Sequence, residues 1–389
     1  MGRCTRIILL SLLSSVLTLA ACGKKSDQAA EKGMPDKKGS WSIFRGNNQL
    51  TGVSRDSIAD QFAPIWSYKT GDQIKSSPVI GQGKVFIGSN DGFVYALNLD
   101  TGAKIWRFNT QGDVEAAPLL LDSLVFVGSV SGFFYALRAS DGRLVWQYET
   151  DGQMHGSANW IYGPDKVEKW ILAGSYDNKL YCFQAKTGRL QWTYETDYFI
   201  NGTPATDGKI AVFGGCDEVI HIVSVLTGEK VGVVPSGAYI AGSAALLDGK
   251  AYLGHYGDKL ISIDIAGQKI EWEYGDKKTE AFFSSPAVTE SYVLIGGRDR
   301  YLHCVDRKNG KKIWQFQTRD DVDSSPVICG NKVIICSKDG RVYLVDLEKG
   351  SQRNAYEIGA AISGSPAVYA GKIVIGAEDG IVYAFGENL

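Results

Sequence analysis

No excess of charge of either sign runs through this sequence. Its 41 Lys and Arg stand against 43 Asp and Glu, a formal net charge of −2 over 389 residues, and no basic block breaks the balance. A nucleic-acid partner needs a basic footprint, so that class is disfavoured. Histidine is scarce: the four present, His155, His221, His255 and His303, form no His-x-x-x-His pair and no His/Cys cluster, which argues against a dedicated zinc site. Gly-x-Ser-x-Gly elbows, P-loops and paired catalytic carboxylates are also missing. So is any apolar run of the roughly 20 residues that a membrane-spanning helix requires.

What is present begins with an address. Arg3 and Arg6 precede a short apolar run, Ile7 to Ala20, and Leu19-Ala20-Ala21-Cys22 resembles the bacterial lipobox. The resemblance implies that residues 1–21 are a lipoprotein signal peptide and that Cys22 is lipidated. Residues 22–40 are polar and read as a flexible tether. Gly23, rather than Asp, follows the cysteine. By the sorting rule of enteric bacteria this implies the outer membrane.

The rest of the chain repeats. Trp66, Trp106, Trp146, Trp192, Trp272 and Trp314 share one column, in which Gly232 and Asn354 replace Trp. Each repeat carries a Ser-Pro-like start (Ser77-Pro78), a run such as Val85-Phe86-Ile87-Gly88, an Asp91-Gly92 turn, a run such as Val94-Tyr95-Ala96-Leu97, and a Thr101-Gly102 turn. A period near forty built from short β-branched and aromatic runs is the mark of propeller blades. The expectation is an all-β, eight-bladed β-propeller of four-stranded antiparallel blades over residues 65–389. The eighth unit has no Trp-bearing strand after it, and Ile65–Lys69 has no blade before it. Ile65–Lys69 is therefore expected to complete the eighth blade beside Ile381–Phe385, removing two exposed edges.

The Trp column is assigned to packing between blades, with looser edges where Gly232 and Asn354 stand. Gly102, Gly142, Gly188, Gly228, Gly267, Gly310 and Gly350 recur before the outer strand and suit a left-handed backbone. Cys182 and Cys304 sit on separate blades as small apolar residues, Cys336 falls out of register with Cys329, and Cys216 is a candidate free thiol.

A second column is more informative. Lys75, Glu115, His155, Asn201, Ala241, Phe283, Asp323 and Ser363 vary freely, although each lies between an apolar residue and a small pair. Residues lining the mouth of a central channel behave this way. The polar members, Lys75, Glu115, His155, Asn201, Asp323 and Ser363, are candidate ligand-binding residues; the alternative is a water-filled mouth without a ligand.

Taken together, the units Ser-Pro-Val…Lys-Val-Phe-Ile-Gly-Ser-x-Asp-Gly…Tyr-Ala-Leu…Thr-Gly-x-x-x-Trp resemble the PQQ-like β-propeller repeat family from Ile65 onward. Trp41-Ser-Ile-Phe-Arg-Gly46 with Thr51-Gly52 is similar to a lead-in of many bacterial members, so residues 41–64 are expected to pack on the propeller side through Trp41 and Phe44. Two kinds of relative follow. The BamB-type lipoproteins imply a non-catalytic, membrane-anchored, monomeric scaffold, with envelope proteins as partners and no cofactor or metal. The quinoprotein dehydrogenases imply bound pyrroloquinoline quinone and calcium, but use adjacent cysteines and long insertions; this chain has no Cys-Cys pair and little insertion beyond Tyr162–Lys169. A quinone-dependent oxidoreductase is the alternative, and an extracytoplasmic ligand- or carbohydrate-binding sensor a third.

Overall fold

The computed structural model describes residues 40–275 and 277–387. The leader, Cys22 and most of the tether lie outside them. The described residues form eight sheets in a ring, each with four antiparallel strands ordered from the axis outward, and the seventh gains a short fifth strand, parallel, at its inner edge. In the first blade these are Val79–Gly81, Lys84–Gly88, Phe93–Asn98 and Lys104–Asn109. The middle two strands bury nearly every side chain, because neighbouring blades cover both of their faces. That is why they read as continuous apolar runs. The outer strands alternate between exposed and covered positions, as half-buried strands do.

The eighth blade takes three strands from the end of the described chain, Ala367–Tyr369, Lys372–Gly376 and Ile381–Glu387. Its outer strand is Phe62–Lys69, with Trp66 opposite Ala384 and Lys69 opposite Ile381. The expected closure is present, and the strand starts three residues earlier than the repeat suggested.

Each tryptophan ties its blade to the next. Trp66 Nε1 donates to Leu99 O (2.9 Å), Trp106 to Ala139 O (3.1 Å), and Trp146 to Ala185 O (2.9 Å). Trp192, Trp272 and Trp314 bond Val225, Arg307 and Leu347 in the same way. The ring lies against the turn glycine of that next blade. At Gly102, φ is +70° and a Cβ would strike the Trp66 ring, so glycine is required there twice over.

The two gaps in the Trp column are filled rather than loose. Opposite Gly232 the turn is reversed: Gln268, not Gly267, takes the left-handed conformation (φ 49°). Its side chain occupies the space over Gly232 and donates to Val231 O (3.2 Å). Asn354 faces the eighth blade, whose outer strand arrives from elsewhere in the chain and has no such turn. Asn354 Nδ2 donates instead to Asp60 O (3.0 Å), in place of the indole.

In four blades a tyrosine of the third strand reaches back to the turn aspartate: Tyr95 to Asp91 (2.6 Å), Tyr181 to Asp177 (2.7 Å), Tyr343 to Asp339 (2.6 Å) and Tyr383 to Asp379 (2.7 Å). His221 and His303 make the same bond to Asp217 and Asp299 through Nε2 (2.7 and 3.0 Å). The cysteines of the described residues are all free.

Candidate functional site

The axis has two ends, and the inner strands define both. Residue 75 and its counterparts lie at one end. Five residues on, about 17 Å at the rise of a strand, residue 80 and its counterparts lie at the other.

The second end is closed by the lead-in, which visits all eight blades in order. Ile80 N donates to Trp41 O (2.8 Å), Leu120 N to Ser42 O (2.8 Å), and Asn48 Nδ2 to Trp160 O (2.6 Å). Thr206 N then donates to Asn48 O (2.8 Å), Leu246 N to Gln49 O (2.8 Å), Val288 N to Thr51 O (2.9 Å) and Ile328 N to Gly52 O (2.9 Å). Val53–Ser54 pairs parallel to Val327–Cys329, and Asp56 accepts from Ala370 N (3.0 Å) in the eighth blade. Inner-edge amides that would otherwise lack partners are thus satisfied by one segment. This corrects the expected placement: the lead-in sits at the axis, not on the propeller side. Ile43, rather than Phe44, enters the core beside Trp41 (3% exposed). Arg45 is carried in fully buried, with Nη2 donating to Pro286 O (3.0 Å) and neither Nε nor Nη1 hydrogen-bonded. Burial lowers its pKa to about 9, so it stays charged at neutral pH.

Between the ends, amide-to-hydroxyl bonds join the inner strands. Ser243 N donates to Ser285 Oγ, Ser285 N to Ser325 Oγ, Ser325 N to Ser365 Oγ, and Ser365 N to Ser77 Oγ, all at 2.8–3.0 Å. The last bond links the eighth blade to the first. The small pairs are small because blades meet here backbone to backbone: a Cβ on Gly364 would press on Ser76 O.

The first end is the open mouth. Its apolar column (Ile74, Val114, Met154 and counterparts) is wholly buried, whereas the column beside it is partly or fully exposed. The structure gathers the six candidate residues into four groups. Lys75 Nζ bonds Glu115 Oε1 (2.8 Å), and His155 Nδ1 bonds Glu115 Oε2 (2.8 Å). The His155 bond, against the opposing effect of burial and with the help of Lys75, holds the Glu115 carboxyl down at about 2. Asp323 receives a bidentate pair from Arg298 (3.0 and 3.0 Å) and a bond from Lys338 (2.7 Å). Burial opposes its ionisation, but these cations outweigh burial and keep its pKa below the usual range. Asn201 Nδ2 donates to Cys216 Sγ and Ile240 O (both 3.0 Å), and Ser363 Oγ donates to Glu378 Oε1 (2.5 Å).

Four of these partners, Cys216, Arg298, Lys338 and Glu378, belong to a second column, the residue two places after the end of the Val-Phe-Ile-Gly-type run in each repeat: Asn90, Val130, Tyr176, Cys216, Tyr256, Arg298, Lys338 and Glu378. Its amides all bond the same position of the inner-strand approach, from Asn90 N to Gln73 O (2.9 Å) round to Glu378 N to Ala361 O (2.9 Å). A variable residue beside uniform neighbours was the signal for the first column, and it would have found this one.

The two carboxylates of the candidate column are poorly placed to hold calcium. A divalent cation needs carboxylates free to bind it, and Glu115 and Asp323 are each held by two cationic or donor partners. Among the described residues no group of three or more His, Cys, Asp and Glu is placed to hold a metal ion.

Comparison with known proteins gives one family match, to the family described as outer membrane protein assembly factor BamB, over residues 58–167 and 158–388. Among solved structures, BamB from Moraxella catarrhalis is similar at 18% identity and a TM-score of 0.70, covering 84% of this chain and 98% of that one. A europium-containing methanol dehydrogenase is similar at 13% identity and 0.72, covering 90% and 99%. Quinohemoprotein alcohol dehydrogenase from Comamonas testosteroni is similar at 13% identity and 0.76, covering 90% and 81%. At these identities the structural likenesses show the fold alone. A search of curated proteins finds no match.

Proposed function

Because this chain belongs to the outer membrane protein assembly factor BamB family, we propose that it is a non-catalytic propeller scaffold that binds envelope proteins during outer-membrane β-barrel assembly. It is tethered by a lipid on Cys22 and faces the periplasm. The observation that supports this reading most is the match itself, which runs with the eight blades from residue 58 to 388. A ring whose first outer strand and last three strands share one sheet is a closed body. Such a body offers partners two kinds of surface, the loops of its faces and the free edges of its outer strands.

The dehydrogenase reading has the shared fold in its favour. The engaged carboxylates of the mouth weigh against it. Crosslinking and recovery from native membranes tests the scaffold: components of the barrel-assembly machinery should come down with the protein. Purified protein that turns over an alcohol once pyrroloquinoline quinone and calcium are added, and recovers no such component, would replace this reading with the enzymatic one.

A further inference from the structure

Exposed apolar side chains are sorted by kind in this molecule. The aliphatic ones lie on outer strands at the circumference, among them Ile65, Ile105, Val145, Val231 and Ile313, or in turns between strands, as Val167 and Leu226 do. The aromatic ones, Tyr198, Tyr239 and Tyr256 (50, 48 and 45% exposed), all lie at the mouth of the axis, on the third to fifth blades. There they belong to two stacks. In one, Tyr176 stacks on Phe199 (4.7 Å, 4° between planes), with Tyr198 against Phe199 (4.5 Å) and His155 over Tyr176 (4.5 Å). In the other, Tyr256 packs on Phe283 (4.5 Å) and Tyr239 on Tyr256 (6.3 Å), while the Arg298 guanidinium lies 3.4 Å over the Phe283 ring. Between the stacks, in the blade that separates Tyr176 from Tyr256, stands Cys216 with the Asn201 amide bonded to it.

We propose that this aromatic crescent is a binding site for a neutral oligosaccharide, with sugar rings stacked on the two aromatic platforms and their hydroxyls directed at the polar groups between and beside them. Three features select that chemistry. The most exposed apolar residues of the mouth are all aromatic, with Val130 only partly exposed, so it offers flat π-faces rather than the greasy pocket that anchors an apolar peptide. Its charged side chains are engaged with one another or with a neighbouring hydroxyl, Lys75 and His155 with Glu115, Arg298 and Lys338 with Asp323 and Asp321, and Ser363 with Glu378, so none of these stands alone to select an ionic ligand. Those same ion pairs hold planar donors and acceptors in fixed positions beside the rings. Pre-orientation of this kind lets weak hydroxyl contacts survive the cost of ordering a ligand. An extended peptide would be served better by the outer strand edges, which point away from this face.

The site can be tested on the full protein by calorimetric titration with chitotetraose, cellotetraose and maltotetraose, with an extended Tyr- and Phe-containing octapeptide as the competing arm. Saturable binding of at least one saccharide is expected. Tyr256→Ala and Tyr198→Ala should each weaken it tenfold or more while leaving the melting temperature unchanged, and Ile313→Ala on the circumference should leave affinity unchanged. Absence of binding by all three saccharides would overturn the proposal. So would binding of the peptide alone, or saccharide affinity indifferent to both tyrosine changes. None of these outcomes bears on recovery of assembly partners, so scaffold and saccharide site stand or fall separately.

Discussion

The two ends of the propeller axis are made from the same inner strands and put to opposite uses. At the sealed end, residues 41–56 satisfy backbone amides around the ring and bury Trp41, Ile43, Arg45 and Leu50. At the mouth, the strands end in side chains that bond one another and remain partly open to solvent. Sealing relies on backbone groups, which every residue has, so it works with few specific side chains. The surface of the mouth is made of side chains carried on a backbone bonded alike in every blade, so it can differ from blade to blade without loosening the ring. Stability should therefore reside at one end and recognition at the other.

Trp41→Ala tests that division most severely. It should cost about 3–5 kcal/mol in denaturant unfolding, as loss of a buried indole does; a loss below about 1 kcal/mol would show that the lead-in is a passenger. Gly52→Ala should cost about 2–3 kcal/mol, because φ there is +66° and a Cβ would overlap the Arg45 guanidinium. Acid unfolding probes the mouth. The folded-state pKa of Glu115 lies below its ordinary value, so its stabilisation is present above about pH 4.5 and fades as pH falls toward 2. At this partly exposed position it is on the order of 1–2 kcal/mol. Glu115→Gln should flatten that part of the curve of stability against pH and leave stability near pH 7 lowered by the same amount. Smallest of all should be Arg45→Met, neutral or stabilising by less than about 1 kcal/mol, since it exchanges a buried charge with one hydrogen bond for apolar bulk. A large loss would mean that the guanidinium has a partner at the axis.

The blades were legible because each is a run of local hairpins, and a repeated local solution leaves a repeated trace. The closure was legible by subtraction, one outer strand lacking at one end and one spare at the other. The replacements at Gly232 and Asn354 were not, because each depends on a turn or strand end contributed by the neighbouring blade: Gln268 in one case, Asp60 in the other. The six polar mouth residues stood out as variable positions between uniform neighbours. Their grouping did not, because Lys75, Glu115 and His155 meet across intervals of 40 residues, and Asp323 finds Arg298 in a column that only the turn geometry brings alongside.

Fold class, blade count and the packing role of the tryptophans follow from the sequence by itself, since period-two strands and turn residues act over a few positions. Tertiary structure alone decided the path of residues 41–56. That segment is held chiefly through its carbonyl oxygens by amides from blades dispersed along the whole chain, and a carbonyl oxygen leaves no mark on residue identity. Tertiary structure also decided that the aromatic residues of the third to sixth blades form one surface, because only closure of the ring brings their separate loops to a common face.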